Sequence, residues 1–302
     1  MELIKSSTNI NFVGSFKVAA TISLIVIAIS IGSVIMHGGL NLGIDFAGGT
    51  VMQVKFPKAT STESIRDALK QIKLEGSIIQ QFSSQEVVIR TAEASSDLKG
   101  LSSRVKEALS TAYGKGGYEV RRVEVVGPKV GKDITNKAIM AIVFSWIAML
   151  VYVAWRFEFR FGVGGIVALI HDVIVTIGVL SLLNREFSLT IIAALLTIVG
   201  YSINDTIVIY DRIRENMRKG LKKNLGEIMN ISINETLGRT ILTSLTVFFV
   251  LVILLVMGGE VLYDFTLAML VGVISGVYST VYIASPLVLA WEKIRPSKMR
   301  KI

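Results

Sequence analysis

Charged and strongly polar side chains interrupt the long apolar stretches of this chain at only a few positions. His171 and Asp172 lie near the middle of one stretch, and Asn204 and Asp205 lie within the next. Arg239 stands at the beginning of the stretch after that. A charged group inside a bilayer is costly unless protein or a water-filled cavity surrounds it, so each of these positions predicts a functional site.

Asp205 and Arg239 are predicted partners, because consecutive spans run in opposite directions and can place them at similar depths on neighbouring helices. A carboxylate near a guanidinium can bind and release a proton while the guanidinium balances the charge. A static ion pair that only fixes helix packing is the alternative, as is a local hydrogen-bonded cluster for His171 with Asp172. Tyr201, one turn before Asp205, either donates a hydrogen bond to it or packs at the lipid interface.

The composition and the motifs argue against most enzyme classes. The chain has no cysteine, which excludes disulfides, thiolate metal sites and cysteine nucleophiles. No Walker sequence, metal-ligand cluster or Ser, His, Asp arrangement occurs at credible spacing, so we predict no catalytic residue, metal or cofactor. We therefore expect a protein that is not an enzyme and that draws on an ion gradient or a partner.

The sequence GIDFAGG at residues 43–49 looks at first sight like a phosphate-binding glycine loop. A strand pattern follows it, instead of a lysine and a helix, so we reject a nucleotide site. We expect Gly43, Gly48 and Gly49 to let the backbone turn sharply where an outer domain meets the membrane. Asp45 either caps that turn or contacts another span.

Six apolar stretches must position these residues. Each is about as long as the roughly 17 to 25 residues that a helix needs to cross a bilayer. The sequence therefore predicts an α-helical polytopic membrane protein with a six-helix bundle. The predicted spans are residues 18–36, 137–155, 161–183, 187–210, 239–257 and 264–291.

The orientation of the bundle follows from the positions of lysine and arginine in the short loops. The segment 211–238 and the tail 292–302 are rich in both, so the positive-inside rule places them in the cytoplasm, together with the N-terminus 1–17. Residues 37–136 are then predicted to lie outside, in a periplasmic or extracellular loop. The same rule explains the net charge of +9, so no nucleic-acid partner is expected.

The charged residues at the cytoplasmic end of the fourth span are expected to continue its helix. No glycine or proline interrupts the chain there, and helical spacing pairs Asp211 with Arg214, and Arg212 with Glu215 or Asn216. The following segment, residues 221–237, is basic and amphipathic. We expect it to lie along the inner membrane surface.

The outer segment 37–136 is the only part large enough to form a water-soluble domain. Its apolar residues alternate as in strands at 50–56, 77–82, 86–91 and 118–126. Helical spacing recurs at 61–73 and 95–113, with capping serines before the first of these helices. The order β, α, β, β, α, β predicts a small ferredoxin-like α+β domain between the first two spans.

Four motifs together resemble those of the SecF family of protein-export subunits. They are GIDFAGG at 43–49, HDV at 171–173, YSINDTIVIYDRIREN at 201–216 and NETLGRTILTS at 234–244. The order and the predicted topology are also similar, and the resemblance covers almost the whole chain. It implies the RND superfamily, the bacterial inner membrane, and a function in the Sec translocon.

The resemblance also implies partners and a mechanism. The partners would be SecD, the SecYEG channel, YajC and the unfolded polypeptide that is translocated after SecA-dependent initiation. Proton motive force would drive motion of the outer domain, with the family's membrane carboxylate at Asp205 and its arginine at Arg239. The sequence leaves open whether sodium replaces the proton.

Two other readings remain open at this point. An RND-type exporter of small molecules or lipids would share the buried carboxylate, but would need a substrate cleft and usually a second outer domain. A structural scaffold of the translocon would tolerate a neutral pair in place of Asp205 and Arg239.

Overall fold

The computed structural model describes residues 8–74, 76–91, 98–114, 116–219 and 223–295. Parts of the predicted tail 292–302 and of the segment 211–238 therefore lie outside the described residues, as does the predicted start of the helix at 95–113.

The elements follow one another in a helix-rich order. They are α1 (Phe16–Met36), α2 (Ile44–Ala47), β1 (Gly49–Lys55), α3 (Thr62–Lys70), β2 (Ile78–Gln81), β3 (Glu86–Thr91), α4 (Leu98–Tyr113), β4 (Glu119–Val126), α5 (Pro128–Arg156), α6 (Phe159–Leu182), α7 (Leu189–Arg218), α8 (Leu225–Met257), α9 (Gly259–Ser279) and α10 (Ser285–Ile294).

The described chain folds into two compact units. The first contains the described residues of 1–41, 141–186 and 190–302. The second contains those of 42–140 together with 187–189.

Six helical segments of the described chain are long and apolar enough to span a membrane, which confirms the predicted number. In the third, fourth and sixth of them, 56% of the most apolar window is buried inside the protein. The corresponding value is 22% in the first span and 17% in the fifth. The polar residues of α6, α7 and α9 are therefore the ones that protein, rather than lipid, can surround.

The sixth span consists of three consecutive helical elements, which are α9, a π-helical turn at Thr280–Ala284, and α10. Pro286 lies in the first turn of α10 and has no amide hydrogen to donate to a preceding carbonyl. The Ser285 hydroxyl donates to the Thr280 carbonyl across 3.1 Å. The local widening thus has an identifiable cause in the sequence.

The predicted surface helix within 211–238 is wrong. Asn224 caps α8 by accepting a hydrogen bond from the Glu227 amide at 2.9 Å, and α8 then runs unbroken to Met257. Residues 225–238 are therefore the first part of the fifth spanning helix. An amphipathic pattern predicts a helix with one covered face, and here packed protein rather than a membrane surface covers it, since Ile228, Met229 and Ile233 are buried.

The second unit contains a four-stranded antiparallel sheet in the order β2-β3-β1-β4. With α3 between β1 and β2, and α4 between β3 and β4, this is the predicted ferredoxin-like arrangement. One face of the sheet is covered by these helices. The buried core contains Met52, Val54, Phe56, Ile65, Leu69, Leu74, Val87, Ile89, Leu101, Val105 and Leu109.

Candidate functional site

Asp172 is the most deeply buried carboxylate among the polar residues predicted in the spans. Its relative exposure is 0%. Its Oδ1 accepts a hydrogen bond from Ser275 at 2.6 Å, and its Oδ2 accepts from Ser202 at 2.7 Å and from Ser279 at 2.8 Å. One side chain on α6 therefore joins α7 and α9, through serines that the sequence analysis did not single out.

His171 lies beside this cluster, as its position next to Asp172 requires. Its Nδ1 is 3.3 Å from Oδ1 of Asp172, and its ring centre is 6.0 Å from that of Tyr278 on α9. The Tyr278 hydroxyl donates to the Ala19 carbonyl at 2.6 Å and lies 2.8 Å from the Ser23 hydroxyl. A polar path thus links α1 to the centre of the bundle, in agreement with a local hydrogen-bonded cluster.

Asp205 has a different environment from Asp172. It is 4% exposed, and the contact found for its carboxylate in the described chain is a bond of 3.4 Å from the Ser244 hydroxyl to Oδ2. Charge-assisted hydrogen bonds are usually 2.5 to 2.7 Å for hydroxyl donors, so this one is long. The Thr240 hydroxyl, one turn before Ser244 on α8, is buried and has no partner among the described residues. Asp205 thus lies in a buried site whose polar groups are incompletely paired.

Arg239 does not form a direct ion pair with Asp205 in the described part of the chain, although the sequence suggested one. It lies on α8 five residues before Ser244, the residue whose hydroxyl contacts Asp205. The exposed Arg239 lines a cleft of about 580 Å³ together with Val208 and Thr236. Because Val208 lies three residues after Asp205 on α7, this cleft comes within about one helical turn of the buried carboxylate.

The remaining walls of this cleft are strongly charged, and we call it the arginine cleft. It is lined by Arg156, Val208, Asp211, Arg212, Arg214, Glu215, Arg218, Glu235, Thr236 and Arg239.

Tyr201 and Asn204 do not complete the Asp205 site. The Tyr201 hydroxyl is buried and finds no hydrogen-bond partner among the described residues, so it does not donate to Asp205. Asn204 is exposed on the surface of this chain, within an apolar span. Ala193, Thr197 and Gly200 are exposed on the same side of α7, at three- and four-residue spacing. These four residues form a stripe of small and polar side chains, which we call the α7 stripe.

The charged end of α7 is paired in part as predicted. Asp211 binds Arg156 at 3.1 Å rather than Arg214, and Arg214 donates to the Arg156 carbonyl at 3.0 Å. The prediction missed this because Arg156 ends α5, far away in the sequence. Both contacts hold the link between α5 and α6 against α7.

Arg212 and Asn216 join α7 to α8. Arg212 pairs with Glu215, as predicted, and also with Glu235, each at 2.6 Å. The buried Asn216 amide donates to Glu235 at 2.7 Å and to Ser232 at 3.0 Å, instead of meeting Arg212. The partners of Asn216 belong to the segment that was expected to lie on the membrane surface.

The glycine motif has a structural function within the second unit. Asp45 Oδ2 accepts a hydrogen bond from the Leu189 amide at 2.8 Å, and the Gly43 amide donates to the Phe187 carbonyl at 2.9 Å. Gly48 and Gly49 have φ values of 75° and 133°, which side chains with a Cβ rarely adopt. The motif therefore binds the segment 187–189, so Asp45 makes the second of its two predicted contacts.

Two asparagines of α8 bind the N-terminal segment, a contact that the sequence analysis missed. Asn234 accepts from the Ile10 amide and donates to the Ile10 carbonyl, both at 2.9 Å. Asn230 donates to the same carbonyl at 3.0 Å and accepts from the Val13 amide at 3.2 Å. Asn234 is the first residue of the motif at 234–244. That motif was the sequence signal from which a functional role of Asn234 could have been inferred.

No group of three or more His, Cys, Asp or Glu side chains in the described residues is arranged to hold a metal ion.

Two family profiles match the chain. The C-terminal domain of the SecD/SecF protein export membrane proteins matches residues 105–294, and the SecD/SecF GG motif matches residues 34–58. The second match includes the whole glycine motif at residues 43–49, whose backbone geometry is described above.

Three relatives that match nearly the whole chain are protein translocase subunits SecF. The chain is 45% identical to protein translocase subunit SecF of Calditerrivibrio nitroreducens, over 98% of both chains. It is 44% identical to SecF of Magnetococcus marinus, over 100% of this chain and 97% of that one. For SecF of Vibrio alginolyticus, the identity is 42% over 99% and 96%.

Solved structures of SecDF have the same fold. A Thermus SecDF, described as a translocon-associated membrane protein, matches 96% of this chain with a TM-score of 0.83 and 38% identity. SecDF in a super-membrane-facing form matches all of this chain with a TM-score of 0.73 and 38% identity. This chain spans only 40% and 41% of those two solved chains.

Proposed function

The chain belongs to the SecD/SecF family of protein export membrane proteins, and from this premise we propose that it couples a proton gradient to protein export. It is a multi-pass membrane subunit of a protein translocase. With SecD, it uses the proton motive force of the bacterial inner membrane to promote export of unfolded polypeptides, after SecA and SecYEG have begun translocation. Its termini are cytoplasmic, and the second unit lies outside.

The burial of Asp205 is the observation that carries this proposal. The carboxylate is 4% exposed in a spanning helix, and one long hydroxyl contact leaves most of its acceptor capacity unused by the described residues. An ionisable group at such a position is costly, and incomplete pairing makes it a poor structural element. A change in its protonation state is the process that this arrangement can perform.

Arg239 and the arginine cleft supply the other requirements of a proton carrier. Arg239 would balance the charge of Asp205 from α8, the helix that contacts Asp205 through Ser244, without a direct ion pair in the described chain. The cleft reaches to within about one turn of Asp205 and provides a wet route on the proposed cytoplasmic side. The coupling ion is a proton in this account, and the experiment below includes sodium as an alternative.

The α7 stripe supports SecD as the membrane partner. An exposed asparagine in an apolar span is unfavourable against lipid, and small residues at this spacing allow another helix to approach closely. The Thermus SecDF chain contains a further 60% that this chain does not match. We assign the α7 stripe to contact with SecD, which would place a partner helix next to Asp205.

Motion of the outer unit is the proposed output. A ferredoxin-like unit that follows the first span by a short link, and binds segment 187–189 through Asp45, is connected to the bundle through several chain segments. Protonation of Asp205 would change the preferred position of this outer unit, and the motion of the unit would draw the exported chain outward. SecYEG and YajC are further partners in this proposal.

Two other functions are less well supported. A small-molecule exporter usually needs a second outer domain, and the described chain has one soluble unit. A scaffold would require no ionisable group at Asp205. The full-length similarity to translocase subunits favours export over both.

Proton flux through reconstituted vesicles tests the proposal. The chain and SecD are placed together in proteoliposomes, and internal pH is followed under an imposed potential, with either sodium or choline outside. We expect proton uptake that Asp205→Asn abolishes and that Asp67→Asn, the same change at an exposed site of α3, leaves intact. Equal flux for Asp205→Asn, or flux that follows sodium alone, would contradict proton carriage by Asp205.

A further inference from the structure

Asp172 is a buried carboxylate for which the proposed function has no use. Like Asp205, it lies in an apolar span, so burial alone does not separate the two. Their hydrogen bonds do. Asp172 accepts from three hydroxyls at 2.6 to 2.8 Å, whereas Asp205 accepts from one at 3.4 Å.

We propose that Asp172 is a positioning residue, which holds α7 in the orientation that Asp205 needs through its hydrogen bonds to Ser202, Ser275 and Ser279. The inference rests on the proposed function of Asp205. It assigns different tasks to two buried carboxylates on adjacent helices.

The hydrogen bonds of Asp172 connect three helices. Ser202 of α7 and Ser275 and Ser279 of α9 donate to its carboxylate at 2.6 to 2.8 Å. Removing the carboxylate would take away the acceptor that these buried hydroxyls share, and with it the connection from α6 to α7 and α9.

Two titratable side chains lie near Asp172 in the described chain. His171 belongs to the same helix, and Tyr278 belongs to α9. His171 approaches Oδ1 at 3.3 Å, and Tyr278 of α9 stacks near the His171 ring at 6.0 Å. In the described part of the chain, no lysine or arginine pairs with Asp172, and the imidazole of His171 is the titratable group in contact with it. The serine hydroxyls therefore provide most of its stabilisation.

Ser202 transmits this position to Asp205. It lies three residues before Asp205 on α7, a rise of about 4.5 Å, so both move together when the helix rotates or slides. Its side chain also packs against the backbone of α9, because a Cβ added at Gly276 would lie 3.0 Å from Ser202 Cβ. A displacement of α7 at this level would stretch the Ser202 bond to Asp172 and disturb this packing.

Infrared difference spectroscopy tests this positioning through Asp205, since only a protonated carboxyl group has a carbonyl stretching band. The complex with SecD, in lipid nanodiscs, is titrated with the natural chain, Asp205→Asn and Asp172→Asn. We expect a titrating carboxyl band that disappears in Asp205→Asn and whose titration midpoint shifts in Asp172→Asn. An unchanged midpoint in Asp172→Asn would overturn the proposal.

Gradient-driven export by the same complexes tests positioning. We expect Ser202→Ala and Asp172→Asn to lower the gradient-dependent part several-fold, and Asp172→Glu to restore some of the loss. Ser181→Ala is the control, because it removes a buried hydroxyl of α6 that bonds to Ser33 instead. Full activity of Asp172→Asn would overturn the positioning role. If Asp205→Asn keeps full gradient-driven export, the proposed function fails, whereas the infrared comparison still shows separately whether Asp172 affects Asp205.

Discussion

Ser202 on α7 donates a hydrogen bond of 2.7 Å to Oδ2 of Asp172 on α6. Asp205 follows three residues later, buried and with one long hydroxyl contact. The two carboxylates therefore share a helix-to-helix connection, while differing in how completely each is paired. In the proposed function, this difference separates the carboxylate that holds the bundle from the carboxylate that binds and releases a proton.

Close packing of α1 on α6 depends on Gly178. A Cβ added there would lie 2.2 Å from Ser30 Cβ and 2.7 Å from Ser30 Cα, so the two backbones would have to separate. We expect Gly178→Ala to destabilise the bundle by about 1–3 kcal/mol, measured by thermal unfolding in detergent. Gly32→Ala is the matched control, since nothing lies within 4 Å of its added Cβ. Equal melting temperatures for the two variants would contradict this packing.

The N-terminal segment should open when Asn234 is lost. Asn234→Ala removes both hydrogen bonds to the Ile10 backbone. A cost of about 1–2 kcal/mol corresponds to roughly 5–30-fold faster amide exchange at Ile10. Hydrogen exchange with mass spectrometry measures this, with Asn41→Ala as a control whose amide bonds to Asn184 instead. Unchanged exchange of the segment in Asn234→Ala would mean that other contacts hold it.

The core of the outer unit should depend on Leu109. Its side chain is 0% exposed, and Leu109→Ala is expected to destabilise this unit by about 2–5 kcal/mol. Glu107→Ala, on the exposed side of the same helix, should change its stability by no more than about 0.5 kcal/mol. Exchange of the β1 amides in the full chain reports both values. A result in which both variants behave alike would contradict the assigned core.

The α7 stripe can be located against SecD by cross-linking, because the chain has no cysteine. A cysteine placed by Asn204→Cys should form cross-links to SecD in membranes. Val151→Cys places the same group at a 63% exposed position of α5 and should cross-link weakly or not at all. Stronger cross-linking from the α5 position would place the SecD interface elsewhere.

Local patterns were enough to predict much of the fold. The six spans follow from apolar length, and the sheet follows from alternation, since both depend on residues close together in the sequence. Leu69 and Leu109 stood at helical spacing and are indeed buried in the outer unit. The buried positions of Asp172 and Asp205 also followed from their place in apolar stretches.

The partners of the polar residues could not be predicted in the same way. Ser202, Ser275 and Ser279 are ordinary residues for membrane helices, and only the rotation of three helices directs them at one carboxylate. Asn204 is next to Asp205 in sequence, yet the helical turn of about 100° per residue places it on the exposed side.

The beginning of α8 shows a second limit. The amphipathic pattern of residues 225–238 fits a surface helix and a packed helix equally well. Glu235 decides between them in the structure, because Arg212 and Asn216 of α7 both bind it. Such contacts depend on the distance between two helices, which no single-helix pattern contains.

Export from inverted membrane vesicles tests the central claim most directly. Translocation is started with SecA and SecYEG, and the later phase is followed with SecD and this chain present, with and without a proton gradient. We predict that Asp205→Asn assembles normally and loses the stimulation by the gradient, while the gradient-independent phase continues. Full stimulation in Asp205→Asn would contradict the claim and leave Asp205 as a residue of helix packing.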